Sequence, residues 1–264
     1  MEFENKTYII TGATSGIGRC VATELAKSGA RLLLLGRDKN RLNEIKYQLD
    51  SIGELASEVA LFDSNDLNSI ELAVSKFANK FKFNGFIHCA GILSPMLLRN
   101  LNLDKMSELI NINLLSFFAL AKATLKHNRY IKNDTSIVAI SSLAAFGSEP
   151  GLSLYSASKA ALNSAVKSLA KEYAKKGVRI NAVAPLYVNT PMYDEFINNF
   201  ISKESHEKSL NDIMPFGLIE PIDVAESVLF LLSSKSSKIT AECIKITSGG
   251  GVMTNEIYNE IKMD

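Results

Sequence analysis

The chain has 264 residues, 47% hydrophobic and 22% charged, which suits one large α/β domain or at most two small ones. Its formal net charge of +1 gives no electrostatic reason to expect nucleic acid or an anionic membrane surface as a partner. No run approaches the roughly 20 apolar residues of a membrane span, the start "MEFENKTYII" has no secretory core, and the three cysteines and three histidines are too scattered for a metal site, so a cytoplasmic protein with reduced thiols is expected.

In chain order, short apolar runs alternate with longer amphipathic stretches. "KTYIIT" is the first candidate strand, and the helical "GRCVATELAKSG" after it ends at Gly29, where a helix C-cap belongs. "RLLLLG" and "ASEVALF" follow as strands, with "KNRLNEIKYQL" between them and the helix "LNSIELAVSKFANKF" after them. "GFIHCA", "SIVAIS", "VRINAVA" and "CIKIT" complete seven strands. The helix "ALNSAVKSLAKEYAKKG" places Ala161, Leu162, Ala165, Leu169 and Tyr173 at helical spacing and stops at Gly177. Near-continuous apolar strands imply cover on both faces. The alternation predicts a doubly wound, mostly parallel seven-stranded sheet with helices on both faces. With no repeat or linker, one domain over 1–264 is expected. The polar excursion from Asn189 to about Pro221, carrying His206, is expected to be a substrate lid.

Between the first strand and first helix, "TGATSGIG" sets Gly12, Gly16 and Gly18 around Thr14, Ser15 and Ile17. Such a turn leaves helix N-terminal N–H groups free, which suits a pyrophosphate, and glycines let it approach the backbone. A tight turn without a ligand is the alternative; the position after the first strand favours a dinucleotide. The second strand ends in Gly36 and Arg37 where an acidic residue would grip a free adenosine ribose. Glycine then arginine favours the 2′-phosphate of NADP(H), with NAD(H) possible, since a lone surface arginine is common; Asp38 reads as a helix N-cap.

Two stretches hold a tyrosine and a lysine four apart, "YSASK" at Tyr155 to Lys159 and "YNEIK" at Tyr258 to Lys262. Spacing alone does not choose between them.

The ordered motifs do. "TGATSGIG", "HCAG" from His88 through Cys89 and Ala90 to Gly91, "NINLLS", "IVAISS", "YSASKAAL" and "VRINAVAPLYVNTPM" run from about Lys6 to Gly250. In that order they resemble the short-chain dehydrogenase/reductase family in its single-domain form. The resemblance implies a Rossmann fold, a dinucleotide on the glycine turn, and hydride exchange with a small-molecule carbonyl or secondary alcohol. It implies catalytic roles for Asn113, Ser142, Tyr155 and Lys159, with Tyr155 and Lys159 also touching the cofactor. Asp63 would contact the adenine, with an Asx turn before "NDLNSI" as the alternative; Gly91 would let the backbone approach the adenine ribose, beside Ala90; and Pro185, Val188 and Thr190 would line the nicotinamide. Relatives of this kind are mostly homotetramers, or homodimers, and the apolar "LLSFFALAKATL" fits a buried helix face or packing on its own sheet. Departures are His88 and Cys89 for two asparagines, Leu186 for a glycine and Ser248 for an aspartate. His88 reads as a neutral structural hydrogen-bonder.

In that chemistry Tyr155 is the acid in reduction and the base in oxidation, and Lys159 one turn away lowers its pKa and holds the nicotinamide ribose. Ser142 holds the substrate oxygen, although alone it would read as a cap on the strand end. Asn113 positions a relay water, although alone it would read as a helix-surface amide. A catalytically silent nucleotide sensor, a sugar-nucleotide epimerase and a 3-oxoacyl-carrier-protein reductase are the alternatives. Tyr193, Phe196 and Phe200 suggest an apolar-lined entrance or a lid helix packing on itself. Changing Tyr155 to Phe is expected to abolish turnover while NADPH binding, read by nicotinamide fluorescence, persists. Tyr258→Phe is expected to be silent, and full activity in the Tyr155 variant would end the assignment.

Overall fold

The computed structural model describes residues 2–63, 66–147, 149–200, 210 and 212–250. His206 and the Tyr258/Lys262 pair lie outside the described residues, as does the side chain of Phe200. Seven strands, β1 (Thr7–Thr11), β2 (Arg31–Gly36), β3 (Glu58–Leu61), β4 (Gly85–His88), β5 (Thr135–Ile140), β6 (Val178–Pro185) and β7 (Cys243–Ile246), pair in parallel in the order β3-β2-β1-β4-β5-β6-β7. The order reverses between β1 and β4. Connections leave that point for opposite faces, so a crevice opens beyond the carboxyl ends of these two strands.

The apolar runs are continuous because the pleat sends alternate residues into two different cores. Tyr8, Ile10, Leu32, Leu34, Val138 and Val183 pack under α1 (Gly16–Lys27), α2 (Lys39–Ile52) and α8 (Pro221–Leu232). Ile9, Leu33, Leu35, Phe86, Ile137 and Ile180 pack under α3 (Asn68–Ala78), α5 (Ser116–Thr124) and α6 (Ser153–Tyr173) on the other face. Two further helices, α4 (Leu103–Ile110) and α7 (Pro191–Phe200), lie outside this double layer in sequence, before α5 and after β6.

Local chemistry sets the helix ends. The Asp38 carboxylate accepts the N–H groups of Asn40 at 2.9 Å and Arg41 at 3.1 Å, the expected N-cap of α2. Gly29 and Gly177 follow α1 and the short 3₁₀ extension of α6 in left-handed conformations, as their positions predicted. Glu220 and Asp223 form a reciprocal capping box that starts α8 at Pro221. Its other end is held from β6: Arg179 donates to Leu231 O (2.8 Å), Ser233 O (3.0 Å), and Ser236 O and Oγ (3.0 and 2.8 Å).

Arg179 thus satisfies the carbonyls that a helix end leaves without partners. Its replacement by Met is expected to cost roughly 2–4 kcal/mol in urea unfolding, because buried acceptors lose a charged donor. A loss under about 0.5 kcal/mol, the range of an ordinary surface change, would show that the guanidinium is not the anchor.

Candidate active site

A cleft of about 800 Å³ occupies the crevice at the strand-order reversal, running from the end of β2 across β1, β4 and β5 to β7. Its lining includes Gly12, Thr14, Ser15, Gly16, Ile17, Gly18, Arg37, Ala90, Gly91, Ser142, Tyr155, Lys159, Pro185, Val188 and Thr190. These sequence-predicted residues are brought together from six separate segments. Asn113 and Asp63 are not among the lining residues. Asp63 is exposed, its N–H bonded to Ser69 Oγ at 2.9 Å, while its neighbour Phe62 faces the cleft instead.

The glycine turn is built for close approach. A Cβ on Gly18 would lie 2.2 Å from Gly12 O, and one on Gly12, at φ +72°, would lie 2.8 Å from Ala90 N. The turn therefore rests directly on the chain after β4. Ser15 is the N-cap of α1 with no side-chain capping bond, so the first amides of α1 keep their donors for a ligand. On the opposite side, Thr190 Cγ2 would be 3.0 Å from a Cβ on Gly16. This cradle fits a pyrophosphate. Gly36 ends β2, and both Arg37 and Arg41 face the cleft beside it, with Arg37 Nη1 3.5 Å from the Glu108 carboxylate. Arg41 was not anticipated, although the Asp38 cap puts it in the first turn of α2, four residues after Arg37 and on the same side.

Under the turn, the ends of β1 and β4 are tied through His88. Thr11 Oγ1 accepts the Ala90 N–H at 3.2 Å and lies 3.0 Å from His88 Nδ1. Thr11 Oγ1 and His88 Nδ1 share one hydrogen bond, and Nε2 is buried without a hydrogen-bond partner among the described residues. Burial, with the Lys159 ammonium adding to it, pushes the His88 pKa down to about 3. The sequence expectation of a neutral structural histidine agrees with this. Cys89 is half-buried on the cleft lining, and desolvation pushes its thiol up to about 12, so it packs beneath Gly18 as an inert group.

Ser142 begins the 3₁₀ turn Leu143–Ala145 after β5, its Oγ accepting the Ala144 N–H at 3.2 Å. It also lines the cleft beside Tyr155 and favours the ionised phenol, so the cap and the place in the site coexist. Tyr155 stands in the first turn of α6. Lys159, one turn on, is 4% exposed, and its Nζ donates to Ile140 O at 2.9 Å and lies 5.8 Å from the Tyr155 ring centre. Here the sequence expectation needs correction. Desolvation raises the Tyr155 pKa, the Ser142 hydroxyl pulls it partly back, and Lys159 is not among the causes. The ammonium is directed at a carbonyl rather than at the phenol oxygen, and burial pushes its own pKa down to about 8.

Asn113 also departs from both expectations. It is fully buried inside a π-turn, Asn111–Leu115, between α4 and α5. Its Oδ1 accepts the Ile92 N–H at 2.8 Å, and its Nδ2 donates to Ile92 O at 3.0 Å and Ser158 Oγ at 3.2 Å. Ser158 in turn donates to Tyr155 O at 2.6 Å. The amide is thus neither at the helix surface nor turned to the cleft; it clamps the chain after β4 to the turn of α6 that carries Tyr155. Gly91 has a reason the sequence did not supply: a Cβ there would be 3.3 Å from Lys159 Nζ and 3.5 Å from Asn113 Oδ1.

The remaining departures are packed in. Leu186 lines the cleft, its N–H bonded to Ile246 O at 2.9 Å, and its Cδ2 would be 3.0 Å from a Cβ on Gly250. Ser248 donates to Gly217 O at 2.5 Å. The far wall is formed by Phe146, Tyr187, Met192, Tyr193 and Phe196, with Lys245 and Glu149 at its rim. No described helix is long and apolar enough to cross a membrane, and the described residues contain no cluster of His, Cys, Asp or Glu able to hold a metal ion.

A family model described as enoyl-(acyl carrier protein) reductase matches residues 12–250. The 3-oxoacyl-[acyl-carrier-protein] reductase FabG of Thermotoga maritima is 31% identical over 94% of this chain and 99% of its own length. The FabG of Escherichia coli K12 is 30% identical over 94% and 98%. Among solved structures, levodione reductase superposes with a TM-score of 0.86 at 25% identity, over 95% of this chain and 99% of that one. A variant of actinorhodin polyketide ketoreductase determined with NADPH gives 0.86 at 26%, over 94% and 97%. The chain belongs to the short-chain dehydrogenase/reductase family of oxidoreductase enzymes.

His88 yields a pH signature. The unfolded imidazole takes up a proton near its ordinary 6.5, whereas the buried ring does so only near 3. Between those values the unfolded chain binds more protons, so stability falls as pH drops below about 6.5. Denaturation midpoints measured from pH 7 to about 4 are expected to fall less steeply for His88→Asn than for the parent. Parallel curves would mean that His88 is not buried neutral.

Proposed function

We propose that this enzyme transfers a hydride between NADP(H) and a carbonyl or secondary alcohol, with Tyr155 as general acid in reduction and general base in oxidation. The observation that carries the reading is that Ser142, Tyr155 and, one turn on, buried Lys159 line the same cleft as the glycine cradle. The bound nicotinamide supplies or accepts the hydride. Tyr155, kept protonated by its raised pKa, gives its proton to the ketone oxygen as negative charge develops there. Ser142 donates a hydrogen bond to the same oxygen and fixes its position. Lys159, with a pKa near 8, is charged at neutral pH; it holds the nicotinamide ribose and is a source from which the phenolate is reprotonated. Asn113 acts as a positioning residue through Ile92 and Ser158.

The NADP(H) preference rests on the pair Arg37 and Arg41 beside the side-chain-free Gly36, a fork of guanidinium donors suited to a 2′-phosphate. The relatives named as 3-oxoacyl-carrier-protein reductases and the ketoreductase solved with NADPH support the same cofactor and a ketone substrate. A 3-oxoacyl thioester is the second reading, favoured by those names. α7, with Tyr193 and Phe196 facing the cleft, suits the role of a lid. A homotetramer is proposed from the exposed apolar face that includes Leu103, Leu115 and Phe118, at 78%, 39% and 41% exposure.

Fluorescence titration is expected to give NADPH at least about tenfold tighter binding than NADH, and Arg37→Ala with Arg41→Ala is expected to remove the difference. Equal affinities in the parent would overturn the NADP assignment. A ketone panel with NADPH, followed at the nicotinamide absorbance band, tests the reaction; failure with every ketone and thioester would overturn it.

A further inference from the structure

The charges around the cleft are unevenly distributed, and one cation has no role in the mechanism above. Of the charged side chains that line it, Arg37 and Arg41 flank the end of β2, Lys159 is engaged at Ile140 O, and Glu149, three residues after Phe146, is the one carboxylate. Lys245 lies at the opposite end. It is the single charged residue of β7, opposite Ala184 of β6 and one position from the pair Pro185–Ile246. An exposed lysine in an otherwise apolar strand would ordinarily be a solvated edge group. Here its Nζ sits 4.1 Å from the centre of the Phe146 ring, which itself is 48% exposed. Phe146 ends the turn that Ser142 begins, its N–H bonded to Leu143 O at 2.9 Å. The aromatic face therefore holds the ammonium over the cleft, within one short turn of the residue that receives the substrate oxygen. Among the described residues, no hydrogen bond or ion pair occupies it.

Next to this cation the wall is apolar and aromatic. Tyr187 follows β6, with its ring 5.7 Å from Tyr193 and 6.3 Å from Phe196, stacked on the latter at 25°. A substrate reaching Ser142 and Tyr155 thus meets an apolar, aromatic surface on one side and, on the other, an ammonium that is ion-paired to no described residue, Glu149 being the one carboxylate on the same lining. A cation in a partly dry cleft attracts an anion more strongly than one in open water, since the effective dielectric is lower.

Resting on the proposed ketone reduction, we infer that the substrate is an oxo acid: a ketone with an apolar, ring-sized body and a carboxylate a few bonds from the carbonyl, paired with Lys245. The hydride goes to the carbonyl carbon and the Tyr155 proton to its oxygen; the carboxylate takes no part in the bond changes and sets which ketone is accepted.

The test compares matched probes, β-benzoylpropionate, its neutral methyl ester and acetoacetyl-CoA, with NADPH and the full-length enzyme. The parent is expected to show kcat/KM at least about tenfold higher for the acid than for the ester, chiefly through KM, and the advantage should shrink as salt is added. In Lys245→Gln the acid-to-ester ratio is expected to fall to near one, with the ester as internal reference, while Lys245→Arg retains most of it. An unchanged ratio in Lys245→Gln, or equal acid and ester rates in the parent, overturns the oxo-acid inference and leaves ketone reduction standing. Preference for the thioester over the acid overturns it in favour of a carrier-bound substrate. Turnover of none of the three by an enzyme that reduces other ketones of the panel overturns the oxo-acid inference alone, whereas failure across the whole panel removes the ketone-reductase reading beneath it.

Discussion

The arrangement depends on how closely the chain after β1 can rest on the chain after β4. A single Cβ at Gly18 would fall 2.2 Å from Gly12 O, and one at Gly12 would strike the backbone of Cys89 and Ala90. Because those side chains are absent, α1 starts low over the sheet and points uncapped amides into the crevice where the strand order reverses. His88 and Thr11 tie the two strand ends beneath it. Without this contact there would be neither a floor for a pyrophosphate nor a fixed height from which a nicotinamide reaches Tyr155.

The catalytic end is governed by desolvation. Lys159 is buried and Tyr155 half-buried beside it, and desolvation drives both towards neutrality, raising the phenol and lowering the amine. The lysine donates to Ile140 O rather than to the tyrosine, so the pair is coupled through a common environment and not through a direct bond. A phenol that stays protonated suits proton donation to a ketone. Ser142 moderates this effect by favouring the ionised form.

Several side chains that look redundant in the sequence are positioning devices. Asn113 interrupts a helix with a π-turn and uses its amide on Ile92 and Ser158, which fixes the turn of α6 below Tyr155. Arg179 does the same for the far end of α8, through carbonyls more than fifty positions away in the chain. His88 in place of an amide retains a sheet tie and adds a ring packed 5.8 Å from Phe117. Asn113 and Arg179 are held by several partners each, whereas His88 has Thr11 on Nδ1 and, among the described residues, no hydrogen-bond partner on Nε2, and burial keeps it neutral.

The seven strands, their parallel pairing and the cover on both faces were legible in the sequence, because apolar continuity and alternation with helices are local consequences of burial. The Asp38 cap and the glycine turn were legible for the same reason: their chemistry involves neighbours in sequence. The order of motifs identified Ser142, Tyr155 and Lys159 as one site. Tertiary structure alone decided where the Lys159 ammonium points, which way the Tyr155 pKa moves, what the Asn113 amide holds, that Gly91 sits close against Lys159 and Asn113, and that Arg41 and Lys245 reach the cleft. Those outcomes turn on desolvation and on hydrogen-bond partners from distant segments, and a one-dimensional pattern carries no information on which segments meet.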